Sequence, residues 1–261
     1  TQGWQTIRPT TIPRCMFNGI ASEASIALRL TGSHSVTAAA CASASIAMGY
    51  AFDAIVNNRE DVVLTGGCDS PLTQSIYVAW VNLRVLSAIA EPEKAMRPFD
   101  RDRAGFVLSE GAGMLVFEDL EHALKRGAKI YGEVLSHGTS SDALHITKPS
   151  ADGQTAAITN ALQAAELEPV EVDYINAHGT ATLLNDPTET EAIKRALGDH
   201  AARIPISSTK SVLGHTMGAS AALEMIATLL AFKHQTVPPT VNLDNPDPAC
   251  DLDYVPNRQR P

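Results

Sequence analysis

The stretch AAACASASIAMGYAFDAI, residues 38–55, sets one cysteine, Cys41, among small residues and then passes into an apolar, helical pattern. From Ser43 to Asn57 apolar residues recur at helical spacing, and Asn57 and Asn58 with the charged residues of 59–61 end the pattern. Upstream, HSVT (34–37) reads as strand. Downstream, VVLTGG (62–67) reads as a short buried strand punctuated by glycines. Strand, small-residue turn, helix and new strand, in that order, are the unit from which α/β folds are built. A thiol in a first helical turn meets unpaired N–H groups and the positive dipole end, which lower its pKa and favour thiolate. A cysteine is also a small buried residue suited to a tight strand–helix junction. On this stretch alone both readings stand.

The same alternation continues along the chain. GMLVFEDL (113–120) and KIYGEVLSHG (129–138) read as strands flanking the helical LEHALKRG, and TAAITNALQAAEL (155–167) reads as a helix. VDYINAHG (172–179) reads as a buried strand ending in His-Gly, TETEAIKRALG (188–198) as a helix stopped by glycine, IPISSTKS (204–211) as a strand, and 216–233 as a buried helix. Strands alternating with helices imply an α/β fold with a largely parallel sheet. The order of strand, small-residue turn and apolar helix occurs in HSVTAAACASASIAMGYAF and again in IPISSTKSVLGHTMGASAALEMIATLLAF, as a duplicated core would produce. No linker separates autonomous domains, and the proline-rich 236–256 segment reads as a surface-crossing loop.

Composition narrows the function classes. With 261 residues, 44% apolar and 19% charged, the chain can bury a substantial core. A net charge of -9 without a basic stripe argues against nucleic-acid binding. Lys125, Arg126 and Lys129 fall at a helix end, where cations meet a favourable dipole. No secretory leader pattern opens the sequence, so a cytoplasmic location is the expectation. The longest apolar run, Met217 to Phe232, is interrupted by Glu224 and is too short for a bilayer, so no membrane association is expected. The four cysteines form no C-x-x-C pair and are expected as thiols. DRDRAG (100–105) lacks the closing acid of a calcium loop and reads as a salt-bridged turn. SEGAGM (109–114) lacks the third glycine of a dinucleotide fingerprint and reads as a close-packed turn.

Two histidines bear on the thiol. His178 closes the strand YINA and His215 follows a strand and Lys210, so both emerge at carboxyl ends of strands, where open α/β sheets bind ligands. Either alone also reads as an ordinary hydrogen-bonded histidine. One cysteine and two histidines are a zinc donor set, yet none shares the short spacing of structural sites, so no metal is expected.

Five segments together resemble the β-ketoacyl-acyl carrier protein synthases: SVTAAACASAS (35–45), RPFDRDRAGFVLSEGAG (97–113), NAHGTATLLNDPTE (176–189), SSTKSVLGHTMGAS (207–220) and VPPTVNLDNPDPACDLDYVP (237–256). They occur in the family's order across nearly the whole chain. The resemblance implies a thiolase-like fold with a duplicated five-layer αβαβα core, here incomplete at both ends. Residues 1–120 would belong to the amino-terminal half and 121–261 to the carboxyl-terminal half. It implies Cys41 as acyl-accepting nucleophile, His178 and His215 as the catalytic histidines, Lys210 as the lysine that pairs with an acid, and Glu189 at the matching acidic position. Thr180 and Thr182 align with hydroxyls that contact the phosphopantetheine arm.

The implied chemistry is a decarboxylative Claisen condensation of an acyl group on Cys41 with malonyl-acyl carrier protein. The two imidazoles would donate N–H bonds to the thioester oxygen, and the small residues around Cys41 would leave room for the acyl chain. No soluble cofactor is implied, since substrates ride on carrier-protein phosphopantetheine. The implied partners are acyl carrier protein and a second subunit, either a homodimer mate or a chain-length factor. Fatty-acid elongation leads. A type II aromatic or polyene polyketide ketosynthase is the alternative, favoured by Asn185-Asp186 and TETEAIKRALGDH. A noncatalytic chain-length-factor-like subunit would usually have lost the cysteine. A starter-type Cys-His-Asn enzyme or a plain thiolase is disfavoured because the second site reads Gly-His. Ala39 departs from the family's usual threonine and Asn185 from its usual glycine.

Overall fold

The computed structural model describes residues 7–261, and by contact density the chain divides into two compact units, one up to Ala38 and one from Ala39 to Pro261. The first holds two helices, α1 (Thr11–Cys15) and α2 (Gly19–Leu28), the latter ended by Arg29 in the left-handed region at φ 55°. No strand forms over 34–37, contrary to the reading of HSVT.

In the second unit the turn that carries Cys41 runs into α3 (Ser43–Val56), which is followed by β1 (Val62–Asp69), α4 (Gln74–Leu83), β2 (Gly111–Glu118) and α5 (Leu120–Lys125). Then come α6 (Ala151–Ala164), β3 (Ile175–Asn176), α7 (Asn185–Leu197), β4 (Ile206–Ser207), α8 (Lys210–Leu213) and α9 (Ser220–His234). Local chemistry sets several boundaries. Asp119 caps α5 by accepting the His122 N–H at 2.9 Å, Ser150 caps α6 by accepting the Gly153 N–H at 3.3 Å, and Gly198 at φ 57° stops α7.

The sheets differ from the expected largely parallel one. β1 pairs antiparallel with β2 over their full lengths, Val62 opposite Glu118 and Asp69 opposite Gly111. β3 pairs parallel with β4, Ile175 beside Ile206 and Asn176 beside Ser207. Thus SEGAGM is a strand start and not a turn. Gly113 faces Gly67 across the ladder, and a Cβ on Gly66 would fall 2.1 Å from the Gly113 carbonyl oxygen. Residues 129–138 also fail to form a strand, because the segment finds no ladder partner among the described residues. Its contacts are with helices: Ser136 donates to the Ala161 carbonyl at 2.7 Å, His137 meets Asp53 at 3.1 Å, and a Cβ on Gly138 would lie 2.1 Å from the Ala157 carbonyl.

The apolar residues gather in three cores. Phe99 and Tyr254 stack at 3.6 Å in the core that covers α7, with Ile193, Leu197 and Ile206. Met96, Phe106, Leu108, Ala181 and Met217 pack beside Cys41 and Trp80, and Met48, Ala51 and Phe117 join α3 to the β1–β2 ladder. α9 is buried only at its start: Ser220 and Ala222 are enclosed, whereas Leu230 and Phe232 are exposed, so the buried-helix reading holds for its first turn. Among the described residues no helix is long and apolar enough to cross a membrane. DRDRAG does form a salt-bridged turn, with Asp100 on Arg97 at 3.0 Å and Arg103 on Asp247 at 2.5 Å. All four cysteines are free thiols.

Close backbone approach, enforced by small residues, yields a test. A Cβ on Gly67 would sit 2.5 Å from the Gly218 carbonyl oxygen and 2.7 Å from the Ala44 Cβ, whereas at Gly111 the nearest atom is 3.5 Å away. Gly67→Ala is expected to cost about 2–3 kcal/mol by overpacking, and Gly111→Ala to stay within about 1 kcal/mol. Urea unfolding of the two variants checks this; equal midpoints would refute the packing account.

Candidate active site

Cys41 lies in a single 3₁₀ turn, Ala40–Ala42, immediately before α3. The turn is held by the Ser43 hydroxyl, which donates to the Ala40 carbonyl at 2.7 Å and accepts the Ala39 N–H at 2.9 Å. Ala40 takes φ 48°, a left-handed conformation that costs an L-residue about 1–2 kcal/mol. A small β-substituent at this point keeps the sharp approach to the thiol feasible.

The parallel β3–β4 pair delivers the other groups. His178 follows β3 by two residues, and Lys210 opens α8 shortly after β4. His215 comes in the loop between α8 and α9, where its N–H bonds to the Val107 carbonyl at 2.8 Å and its carbonyl accepts the Ser109 N–H at 3.0 Å. These loops converge. Sulfur of Cys41, a ring nitrogen of His178 and one of His215 all lie within 4.8 Å of one another. Cys41 Sγ is 3.1 Å from His215 Nε2, and the imidazole rings meet edge to face with centroids 5.4 Å apart.

Protons can be placed by elimination. The Met217 backbone N–H donates to His215 Nδ1 at 3.2 Å, so that nitrogen offers its lone pair and Nε2 carries the hydrogen directed at the sulfur. Lys210 Nζ, a donor only, lies 3.2 Å from His178 Nδ1, which places the His178 proton on Nε2 as well. The ammonium also forms a salt bridge with Glu224 of α9. Lys210 is only 1% exposed, so this ion pair is what makes the charge tolerable there.

Electrostatics follow from burial and that single cation. Burial and then the Lys210 charge push His178 well below the ordinary histidine range and His215 down to about 3, so both rings are neutral at pH 7. The thiol of Cys41 is raised by burial, with Lys210 pulling the other way and Glu224 and Asp69 adding to the rise. This corrects the expectation of a dipole-lowered thiol: removal from water outweighs both the field and the turn's N–H groups.

The structure brings Cys41, His178, His215 and Lys210 together, and it sets Glu189 elsewhere. The acid paired with Lys210 is Glu224, not Glu189, because Glu224 projects from α9 onto the ammonium while Glu189 is occupied by backbone. The Glu189 carboxylate accepts the N–H of His178 at 2.6 Å and of Gly179 at 2.8 Å, and burial raises its pKa. It therefore grips the loop that carries His178. Thr180 and Thr182 hydroxyls bond each other at 3.0 Å in the same loop, and Thr182 Oγ1 accepts the Asn185 N–H at 3.1 Å. Asn185 is the first residue of α7, in no need of glycine's freedom, and its amide donates to Glu189 at 3.1 Å and to Asp186 at 3.3 Å.

Other residues escaped the sequence reading. Asp69, ending β1, accepts the Gly218 N–H at 3.0 Å and so ties the start of α9 to the sheet. Asp186 accepts the Phe99 N–H at 2.8 Å and is pushed up to about 7 by burial despite Arg103 at 3.7 Å. Glu224 had one visible signal, a charge interrupting an apolar helical run. Asp69 had none, and Asp186 stood out only beside Asn185, with nothing to show its bond to Phe99.

Comparison with known proteins supplies the family. Residues 2–123 match the Beta-ketoacyl synthase, N-terminal domain, and residues 131–244 the Beta-ketoacyl synthase, C-terminal domain. The chain is 48% identical over 255 residues to 3-oxoacyl-acyl-carrier-protein synthase 2 of Synechocystis sp., covering 97% of this chain and 61% of the relative. It is 46% identical to Nodulation protein E of Rhizobium leguminosarum bv. trifolii, covering 99% and 67%. Among solved structures, a type II PKS ketosynthase bound to the hexaketide in complex with its acyl-carrier protein (AntDE:AntF) matches with a TM-score of 0.96 and 36% identity, covering 99% of this chain and 64% of that one. The ishigamide ketosynthase/chain length factor matches with a TM-score of 0.91 and 40% identity, covering 98% and 62%. The chain belongs to the β-ketoacyl synthase family and has its thiolase-like α/β fold, and it spans about three-fifths of the length of the Synechocystis relative.

The depressed histidines make stability pH-dependent with a definite sign. A base whose folded pKa lies below its unfolded value adds stability that is full above the unfolded pKa and is lost as pH falls toward the folded one. For His215 that window runs from 6.5 down to about 3. The stability of wild type relative to His215→Gln is expected to fall with decreasing pH across this window, by up to about 1.4 kcal/mol per unit. Denaturant titrations at several pH values check it, and a pH-independent difference would contradict the neutral buried ring.

Proposed function

We propose that the protein catalyses decarboxylative condensation of a Cys41-bound acyl group with a malonyl thioester on acyl carrier protein, as a β-ketoacyl-acyl carrier protein synthase. The observation that carries this reading is one sulfur and two neutral imidazoles within 4.8 Å, each ring with its Nδ1 facing a donor. Covalent capture on the sulfur splits one difficult condensation into two easier steps. The acyl group moves from its carrier thioester to Cys41 Sγ, the thiol proton leaving with the carrier's sulfur. Malonyl thioester then loses carbon dioxide, and its electron pair passes into an enolate whose oxygen the two Nε2–H groups stabilise. Such preorganised donors are worth about 10²–10³ in rate each. The enolate carbon attacks the acyl carbonyl, Cys41 leaves as thiolate, and the β-ketoacyl thioester departs on the carrier.

Buried neutral donors suit this task because negative charge appears only in the reaction, where an enclosed site makes each hydrogen bond stronger. Lys210 supports the same charge through His178. Thr180 and Thr182 stand where a phosphopantetheine arm would pass in this reading, and a second subunit, identical or a chain-length factor, would complete the assembly. Fatty-acid elongation is the leading pathway, given the 48% identity to a 3-oxoacyl-acyl-carrier-protein synthase 2. Type II polyketide condensation is the second reading, favoured by the 0.96 TM-score to a type II PKS ketosynthase and by Asn185-Asp186.

Incubation with a panel of acyl and malonyl carrier proteins, followed by intact-mass analysis, tests both. Acyl mass is expected on wild type and absent from Cys41→Ala; mass on another residue, or none with any donor, would favour a noncatalytic partner role. Carbon dioxide release is expected to drop about 10²-fold or more in His178→Ala and in His215→Ala. Unchanged release in both would remove the oxyanion assignment.

A further inference from the structure

We propose that Ser220 is a positioning residue for His215: its hydroxyl, itself oriented by Thr216, donates to Nδ1 and holds the ring proton on Nε2, facing Cys41. The role in turnover rests on the condensing reading above. The geometry is independent of it. Ser220 Oγ lies 3.0 Å from His215 Nδ1, and Thr216 Oγ1 lies 3.2 Å from Ser220 Oγ. His215, Thr216 and Ser220 are 2%, 4% and 3% exposed, so solvent does not supply alternative partners.

Proton directions follow from what each group has. The Met217 N–H can only donate, and its acceptor is His215 Nδ1 at 3.2 Å. A hydroxyl sharing that unprotonated nitrogen must donate too, which commits the one hydrogen of Ser220. The Thr216 hydroxyl must then donate to the Ser220 oxygen. The result is a directed chain from Thr216 through Ser220 to Nδ1, with two donors converging on one lone pair. A proton on Nδ1 would leave the buried Met217 N–H without an acceptor and would reverse the hydroxyl chain, Ser220 then accepting from the ring and donating to Thr216. Hence the Nε2–H form is held, and its hydrogen points at sulfur 3.1 Å away. Because His215 stays neutral far below pH 7, the choice of tautomer is a real one at working pH.

An Nε2–H donor stabilises thiolate, whereas an Nε2 lone pair would stabilise the S–H thiol. Ser220 thereby reaches the nucleophile through the ring. The other charged or titratable groups facing His215 are Cys41 from the 3₁₀ turn, His178 from the loop after β3, Lys210 from α8 and Glu224 from α9, with Asp69 across at Gly218; the Phe106 edge is uncharged. None is altered by changing Ser220.

The test is the pH profile of Cys41 alkylation by iodoacetamide in the full chain, read by peptide mass at that cysteine. The variants are Ser220→Ala, Thr216→Val and Thr216→Ser, with carbon dioxide release from malonyl carrier protein followed in parallel. In Ser220→Ala the half-maximal point is expected to move upward, lowering the rate at pH 7 about threefold to tenfold while the high-pH plateau is unchanged. Thr216→Val should give a smaller shift in the same direction, and Thr216→Ser, which keeps the hydroxyl, should restore the wild-type profile. If Ser220→Ala does not fold, the Thr216 pair carries the comparison. Unchanged profiles in the folded hydroxyl-removing variants, or faster alkylation at every pH as a loosened site would give, overturn the proposal. Absence of carbon dioxide release from wild type would count against the condensing reading alone, since the alkylation profile still decides the role of Ser220.

Discussion

The Lys210 ammonium, almost fully enclosed, is the interaction on which the site depends. It is bonded to Glu224 on α9 and donates to the His178 ring from the first residue of α8, so it ties the ends of β3 and β4 to the helix that follows His215. Removing an ion from water costs several kcal/mol, and a pair like this one does little better than offset it. Stability does not explain its presence. Its field does: Lys210 acts on Cys41, His178, His215 and Glu189 at once.

That field works against burial at the sulfur and with it at the rings. For Cys41, desolvation raises the thiol and Lys210 lowers it; for each histidine, desolvation and Lys210 both disfavour the cation. The same charge therefore favours ionisation of the Cys41 thiol and keeps both rings neutral. A site of neutral donors around a latent anion follows from one buried cation. Glu224 pairs with it directly, while the other nearby acids are engaged by backbone, Glu189 on two N–H groups and Asp69 on the Gly218 N–H.

Much of the site was legible because it rests on local punctuation. Cys41 at the start of a helix, and His178 and His215 past strand ends, are placed by short-range pattern, and the three do meet. Helix positions were legible for the same reason, with α3, α6 and α7 close to their expected bounds. What failed was long-range pairing. Period and composition cannot say which strand lies beside which, so they hide the antiparallel β1–β2 ladder and make a strand of KIYGEVLSHG, which has no ladder partner among the described residues. The identity of the acid on Lys210 is hidden likewise, since local pattern does not say whether Glu189 on α7 or Glu224 on α9 reaches it. The Cys41 pKa was misread because a dipole argument needs no fold, whereas desolvation is a property of everything packed around the turn.

The small residues around Cys41 acquire a second meaning from this packing. They read as room for a substrate, and the structure packs two of them, Ser43 and Ala44, against the glycines of β1 and of the turn before α9. A Cβ on Gly67 would meet Gly218 and Ala44, and one on Gly218 would lie 3.2 Å from the Asp69 carboxylate and 3.8 Å from Ser43. Thus α3, the end of β1 and the turn before α9 approach as closely as three chains without large side chains allow. Only at that separation does the Cys41 sulfur come within 3.1 Å of His215, on a turn held at the positive φ of Ala40. Larger residues at these positions would move the thiol away from the rings, so the first demand on this stretch is proximity.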